Sequence, residues 1–171
     1  GDEIHCLYWL YNRTGDAFLL DLAATVFQQT LDWTSIFHDF PYADRQTAFD
    51  HRIHVVNVAM AVKEPGLFWL RSGDRRHREA PRLGLESLMR HHGLVNGLFS
   101  GDEWLAGPNP SQGTETCAVV ELMFSLEVLA RILGEPEWAD RLERVAYNAL
   151  PAAQTPDLWG HQYDQQPNQV L

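Results

Sequence analysis

The stretch TETCAVVELMFSLEVLARILG, from Thr114 to Gly134, decides the fold class of this chain. Its apolar residues recur three and four positions apart, which is the spacing of one face of an α-helix. Gly134 ends the pattern, because glycine adopts the left-handed conformation that closes a helix without steric cost. The sequence therefore predicts a helix over 114–133.

Helix ends of the same kind occur twice more, earlier in the chain. Each has a glycine at the stop and an acidic residue that can cap the next helix, as in Gly15-Asp16, Gly73-Asp74 and Gly134-Glu135. The glycines recur at intervals of about 60 residues, which indicates a repeated αα-hairpin. Such hairpins form either an open solenoid or a closed toroid. The long loops between them favour the toroid, with loops gathered at one end.

The other elements are predicted from the same periodicity. Helices are expected from Asp16 to Val26, from His51 to a break at Glu64-Pro65-Gly66, over 67–70, over 80–91 and from Glu135 to Leu150. Residues 32–50 are expected to form a long loop with a short helical turn, residues 75–78 a solvated basic turn, and residues 158–171 a strand or extended loop. The predicted class is all-α, with a short β or loop tail.

Composition limits the possible functions. The net charge of −10 argues against a nucleic-acid partner and against an anionic membrane surface, both of which favour basic proteins. No apolar run approaches the roughly 20 residues of a membrane span. Cys6 and Cys117 lie far apart, so no disulfide framework is expected. The chain begins without Met, directly in a helical pattern, and we expect it to be cut from a longer protein.

The loop from Phe99 to Gly113 is the strongest candidate for chemistry. It carries Asp102 and Glu103 and leads into a helix start that bears Glu115 and Cys117. The positive end of a helix favours a carboxylate or a thiolate, and Zn²⁺ accepts both as ligands. The alternative is that Thr114 or Glu115 caps the helix and Cys117 is an inert buried residue, because two ligands do not make a zinc site.

Two further groups of polar residues remain open. His54, at the start of an apolar helix, either points into the barrel or packs in the core. His91 and His92 lie at a helix end, where cations are favoured and no ligand role is required. The aromatic and amide side chains of 159–169 suit a polyol ligand and equally suit an exposed loop.

Four segments together carry a family resemblance. The segments 54–61, 100–103, 114–118 and 163–166 resemble, in order and spacing, the β-L-arabinofuranosidases of glycoside hydrolase family 127. The resemblance runs over nearly the whole chain and implies an (α/α)₆ barrel followed by β-sandwich domains. Residues 1–171 would then be a single fragment, roughly half of the barrel, without its C-terminal part and the sandwiches.

The same resemblance implies retaining hydrolysis of a carbohydrate substrate by a zinc-bound cysteine thiolate. One Glu and three Cys hold the metal in the family, and Glu115 and Cys117 match the Glu and the first Cys. The other two Cys, one of them the nucleophile, follow later in the family as an adjacent pair. Zinc is therefore expected only in the full-length protein and is expected to be weak or absent in this chain.

The resemblance also assigns residues around the sugar. Glu103 is the best match to the general acid/base, but its spacing to Glu115 differs from that of relatives, so Asp102 remains possible for this role or as a substrate ligand. His54 and Tyr163 match residues that line the sugar subsite. Two alternatives stay open: a toroid glycosidase for another sugar, and a non-catalytic helical module that binds a glycan or a protein. A Cys-Cys pair after Leu171 would favour the enzyme.

We predict that the isolated 171-residue chain has no glycosidase activity and self-associates. Truncated flanks would leave apolar helix faces exposed, and such faces promote association. Light scattering on the purified chain checks this, and a monodisperse monomer would contradict it.

Overall fold

The computed structural model describes residues 1–168 and is predominantly helical. The helices are α1 Asp2–Thr14, α2 Phe18–Gln29, α3 Trp33–His38, α4 Val55–Ala61, α5 Glu64–Ser72, α6 Arg75–His92, α7 Thr116–Leu133 and α8 Pro136–Ala152. Two short strands, β1 Thr114–Glu115 and β2 Asp164–Gln165, pair antiparallel. The predicted all-α class with a short β tail is confirmed.

Helical hairpins form at the three predicted glycine positions. The pairs α1–α2, α5–α6 and α7–α8 pack against each other across these turns. Gly15, Gly73 and Gly134 have φ values of 71°, 65° and 73°, the left-handed conformation that closes each first helix. Asp74 then caps α6 by accepting a hydrogen bond of 2.8 Å from the Arg76 amide. The three closing glycines form as expected, whereas the predicted cap at Glu135 is wrong, because its side chain makes no cap bond to α8.

The main core lies between α4 and α7, with α3, α6 and α8 packed around them. Fully buried members from both central helices include Val55, Val58, Val119, Leu122 and Leu126. A second, smaller cluster joins α1, α2, α5 and α7 through Ile4, Ala23, Leu67 and Val128. Helices α4 and α7 pack against each other through this core. This packing fixes the positions of their first residues, which lead into the site described below.

Lys63 is a fully buried cation between these helices. Its Nζ lies 2.7 Å from Oδ1 of Asp2 and 3.4 Å from Oγ of Ser125, and it donates to the Met60 carbonyl at 3.2 Å. The Ser125 hydroxyl donates a hydrogen bond to the Ala59 carbonyl at 2.6 Å. A buried charge is tolerated only with such partners, so Lys63 fixes α1 and α7 against the end of α4.

The predicted break at Glu64-Pro65-Gly66 is wrong. These residues form the first turn of α5, and the interruption lies at residues 62–63. Proline is compatible with a first turn, because the amide it lacks would have no partner there. Gly66 serves packing, since a Cβ at that position would lie 2.7 Å from Cδ2 of Leu129.

The predicted start of the helix over 80–91 is also wrong. Helix α6 begins at Arg75, so the basic segment 75–78 is helical rather than a solvated turn. His77 is partly buried and its Nδ1 lies 2.8 Å from Oγ1 of Thr34 on α3. The short helical turn expected within 32–50 is α3. None of the helices within 1–168 is long and apolar enough to cross a membrane.

We predict that Gly84→Ala destabilises the fold. Helix α6 approaches α3 so closely at Gly84 that a Cβ would lie 2.4 Å from Cγ of the buried Phe37. Overpacking of this kind costs about 1–3 kcal/mol, more than the helix propensity gained. Thermal unfolding checks this, with Arg90→Ala on the exposed face of the same helix as control. An equal or higher melting temperature for Gly84→Ala would contradict the packing argument.

Candidate active site

The acidic loop, residues 99–113, is fixed by His92 at the end of α6. The buried His92 ring accepts a hydrogen bond at Nδ1 from the Gly107 amide (3.0 Å), so its Nε2–H donates to the Tyr42 carbonyl (2.6 Å). The Ser100 amide donates to the His92 carbonyl at 2.8 Å. One histidine therefore joins the loop to α6 and to the segment before α4.

Backbone hydrogen bonds hold the carboxylate-bearing part of this loop against the start of α4. The Val55 amide donates to the Glu103 carbonyl and the Leu105 amide to the Ile53 carbonyl, both at 3.1 Å. His54 and Trp104 pair as an antiparallel bridge between these two contacts. The side chains of His54 and Glu103 are thereby brought to the same edge.

The tail approaches the site through the β1–β2 pairing. Glu115 stands opposite Asp164 in this two-stranded sheet, and the Thr116 amide donates to the Tyr163 carbonyl at 2.8 Å. The Tyr163 hydroxyl then donates to Oε1 of Glu115 at 2.8 Å. A segment nearly fifty residues after Glu115 thus supplies the partner of its carboxylate.

Four side chains from four segments form a continuous row. Nε2 of His54 lies 3.6 Å from Oε2 of Glu103, and the Tyr163 hydroxyl lies 3.4 Å from Oε1 of Glu103. Tyr163 also binds Glu115, as described above, and its pKa is raised, chiefly by this hydrogen bond. Glu103 is half exposed, so its carboxylate can exchange protons with solvent or a ligand.

Glu115 occupies the N-cap position of α7, but its side chain does not cap the helix. It is 3% exposed, and its Oε2 has no hydrogen-bond partner within residues 1–168. Neither Glu115 nor Thr114 makes a side-chain cap bond to α7, and Cys117 is solvent-exposed. The alternative of a capping residue beside a buried cysteine is therefore wrong. A buried, unpaired carboxylate oxygen is costly unless something binds it.

The surroundings of Cys117 raise the pKa of its thiol. Partial desolvation raises its pKa, and the nearby Glu115 carboxylate raises it further. These effects outweigh the favourable helix end that the sequence suggested.

Comparison with known proteins was made on sequence and on fold. The family model described as "Beta-L-arabinofuranosidase, GH127 catalytic domain" matches residues 1–168. The chain belongs to this family. A search of curated proteins found no match.

One solved structure with the same fold is described as "The GH127, Beta-arabinofuranosidase". It superposes with a TM-score of 0.71 at 21% sequence identity, over 96% of this chain and 27% of that protein. The chain therefore spans about a quarter of the length of this GH127 relative, and the likeness establishes the helical architecture.

The structure brings together the residues that the GH127 resemblance singled out. His54, Glu103, Glu115 and Tyr163 form the row described above, with Cys117 beside Glu115. Asp102 is exposed at the edge of the row, and Cys6 lies on α1. His54 faces Glu103, and its side chain is 19% exposed.

A carboxylate and a thiol two residues apart fit zinc as two of its donors, and the unpaired Oε2 of Glu115 is the atom such an ion would satisfy. Within 1–168, however, no group of three or more His, Cys, Asp or Glu side chains has the arrangement to hold a metal ion. The described residues therefore supply two donors of types that zinc accepts and do not form a metal site by themselves.

Sequence reasoning missed two residues of this site. Asp164 stands opposite Glu115, and burial, followed by the charges of Asp102, Glu115 and Glu103, raises its pKa to about 6. His92 was assigned to a helix end with no required role, yet it fixes the acidic loop. The Tyr-Asp-Gln-Gln stretch already carried Asp164, but only the β1–β2 pairing reveals its position.

We predict that His92 makes folding stability fall below pH 6.5. Burial lowers the pKa of His92 in the folded chain, whereas the unfolded chain binds a proton at the ordinary value of 6.5. Its contribution is therefore fully present above pH 6.5 and is lost as the pH falls toward the lowered folded pKa. His5 and His77 have lowered pKa values for the same reason and add to the effect.

Thermal unfolding of wild type and His92→Gln from pH 8 to pH 5 measures this dependence. Glutamine retains one donor and one acceptor without titrating. The variant should therefore lose less stability on acidification than wild type does. An identical loss in both proteins would contradict the role assigned to His92.

Proposed function

We propose that the full-length protein containing this chain is a retaining glycosidase that releases L-arabinofuranose, or a related sugar, from β-linked glycosides. The observation that carries the proposal is the row of His54, Glu103, Tyr163 and Glu115, in a chain that belongs to the GH127 family. In the same proposal, residues 1–171 contribute about half of an (α/α)₆ barrel.

Glu103 is proposed as the general acid/base. In the first step it gives its proton to the oxygen of the departing group, and in the second step it takes a proton from the attacking water. The role is supported by the half-exposed carboxylate of Glu103, which is accessible to a ligand and to water. His54 lies 3.6 Å from one of its oxygens, and the Tyr163 hydroxyl, whose proton goes to Glu115, lies 3.4 Å from the other.

Glu115 and Cys117 would hold a zinc ion together with two later cysteines, one of them the nucleophile, outside residues 1–171. When bound, zinc lowers the pKa of a coordinated thiol, so that a thiolate exists at neutral pH. Tyr163 orients the Glu115 carboxylate through its 2.8 Å hydrogen bond and leaves Oε2 free for the ion. Without the later cysteines the isolated chain would lack its nucleophile, so we expect it to be inactive.

We predict that Glu103→Gln in the full-length protein lowers kcat for a β-L-arabinofuranosyl disaccharide by about 10²–10⁴-fold. The amide cannot donate the proton that a sugar leaving group requires. The rate of the first chemical step should fall less with p-nitrophenyl β-L-arabinofuranoside, because p-nitrophenolate departs without protonation. Steady-state and pre-steady-state kinetics with both substrates measure the difference.

Asp102→Asn is the matched control, because Asp102 is the adjacent acid and lies outside the row. It should retain activity within several-fold, and both variants should retain the zinc content of wild type by metal analysis. Loss of activity in Asp102→Asn alone would move the acid/base role to Asp102. No turnover and no zinc in the wild-type protein would remove the glycosidase proposal and leave a non-catalytic binding module.

A further inference from the structure

His92 closes the base of the part of the acidic loop that carries Glu103. Its carbonyl accepts from the Ser100 amide at 2.8 Å, and its ring accepts at Nδ1 from the Gly107 amide at 3.0 Å. The Ser100 hydroxyl in turn donates to the Gly107 carbonyl. Ser100, Gly107 and His92 thus form a closed neck, and residues 101–106, with Glu103 among them, lie between its two ends.

The neck is complete within the described residues. Ser100 and His92 have no exposed area, and Gly107 is buried as well. The hydrogen bonds that close the neck all join groups of this chain. The neck therefore needs no group from elsewhere in the full-length protein.

Only a neutral His92 ring can close the neck. Nδ1 has to carry a lone pair to accept from the Gly107 amide, because the Nε2–H donates to the Tyr42 carbonyl at 2.6 Å. Protonation would place an N–H at Nδ1, facing the Gly107 N–H across the same 3.0 Å. Two buried donors would then face each other without an acceptor, which is costly and favours an open neck.

The surroundings of the ring offer little to stabilise an added charge. Burial is the largest effect on the pKa of His92 and lowers it, and the charge of His91 on the same helix lowers it further. The segment before α4 contributes the Tyr42 carbonyl, which raises the pKa, and the ring of Phe40, which is apolar. No acidic side chain within 1–168 contributes, so the ring stays neutral at neutral pH.

The neck is one of two attachments that determine where Glu103 lies. On the α4 side, the Glu103 carbonyl accepts from the Val55 amide at 3.1 Å, and on the α6 side the loop is held through the neck. An open neck leaves the loop attached on the α4 side alone. Under the proposed function, a displacement of Glu103 by about 1 Å is enough to cost roughly 10²-fold in rate.

We propose that His92 is a positioning residue for Glu103 and makes the acidic loop a pH-sensitive switch. The neutral ring holds Glu103 in place for proton transfer, whereas protonation of His92 opens the neck and moves Glu103 while the helices stay folded. This inference rests on the role proposed for Glu103 and adds to it the regulation of the site by acid.

Amide hydrogen exchange of the full-length protein between pH 8 and pH 5, followed by mass spectrometry, tests the switch without turnover. After correction for the intrinsic effect of pH, peptides within 99–107 should lose about ten-fold or more protection on acidification, and peptides of α8 should keep theirs. His92→Gln should abolish this loss, because the glutamine amide does not titrate. His77→Gln is the matched control, since His77 is another α6 histidine with a lowered pKa but contacts Thr34 rather than the loop.

The kinetic signature is the ratio of kcat/KM for a β-L-arabinofuranosyl disaccharide to that for p-nitrophenyl β-L-arabinofuranoside, which does not need the proton of Glu103. In wild type the ratio should fall by about ten-fold for each pH unit below the pKa of His92 in the folded protein. Protonation of Glu103 alone would raise the ratio as the pH falls, and a general loss of structure or zinc would leave it unchanged. His92→Gln should not show the fall, and His77→Gln should show it as wild type does.

The outcomes separate this inference from the function on which it rests. Unchanged protection of 99–107 in wild type, an equal loss in α8, or a wild-type response in His92→Gln would each overturn the switch. Loop opening with a ratio that is constant or rises on acidification would overturn the positioning role. A wild-type protein that hydrolyses neither substrate would instead refute the proposed function, and the exchange measurement would still decide whether the neck opens.

Discussion

The site depends on the close approach of three chain segments at Gly101. The Gly101 amide donates to the Gly113 carbonyl at 2.7 Å, and its own carbonyl accepts from the Glu115 amide at 2.9 Å. On its other side, a Cβ would lie 2.1 Å from Cγ1 of Val55. Only glycine allows the acidic loop to lie between α4 and β1 at this distance. The separation of Glu103 from Glu115 is set by this contact.

The second constraint is electrostatic. Four carboxylates approach one another from the acidic loop and the β1–β2 pair, namely Asp102, Glu103, Glu115 and Asp164. Together with burial, their repulsion raises the pKa of Asp164 to about 6. No cationic side chain contributes to that shift, and the chain as a whole is acidic. Such an arrangement favours the binding of a proton or a cation at its centre.

Features that depend on a few consecutive residues were predictable. The closing glycines predicted the three hairpins, because helix ends are decided within one or two turns. The predicted helix break at Pro65 is wrong, because proline is compatible with the first turn of α5. The role of His92 and the register of Asp164 opposite Glu115 depend on contacts between residues far apart in sequence. No periodicity specifies such pairs. The family resemblance suggested the roles proposed for Glu103 and Tyr163, and the structure gives the distances between them.

Lys63 is the only lysine of the sequence, and its side chain has no exposed area. The ε-amine is held by Asp2, Ser125 and the Met60 carbonyl, and it reaches solvent only when α1, α4 and α7 separate. A reagent that acylates amines would therefore leave this side chain unmodified in the native chain. The rate of its acylation reports directly how often the centre of the molecule opens, without an introduced label.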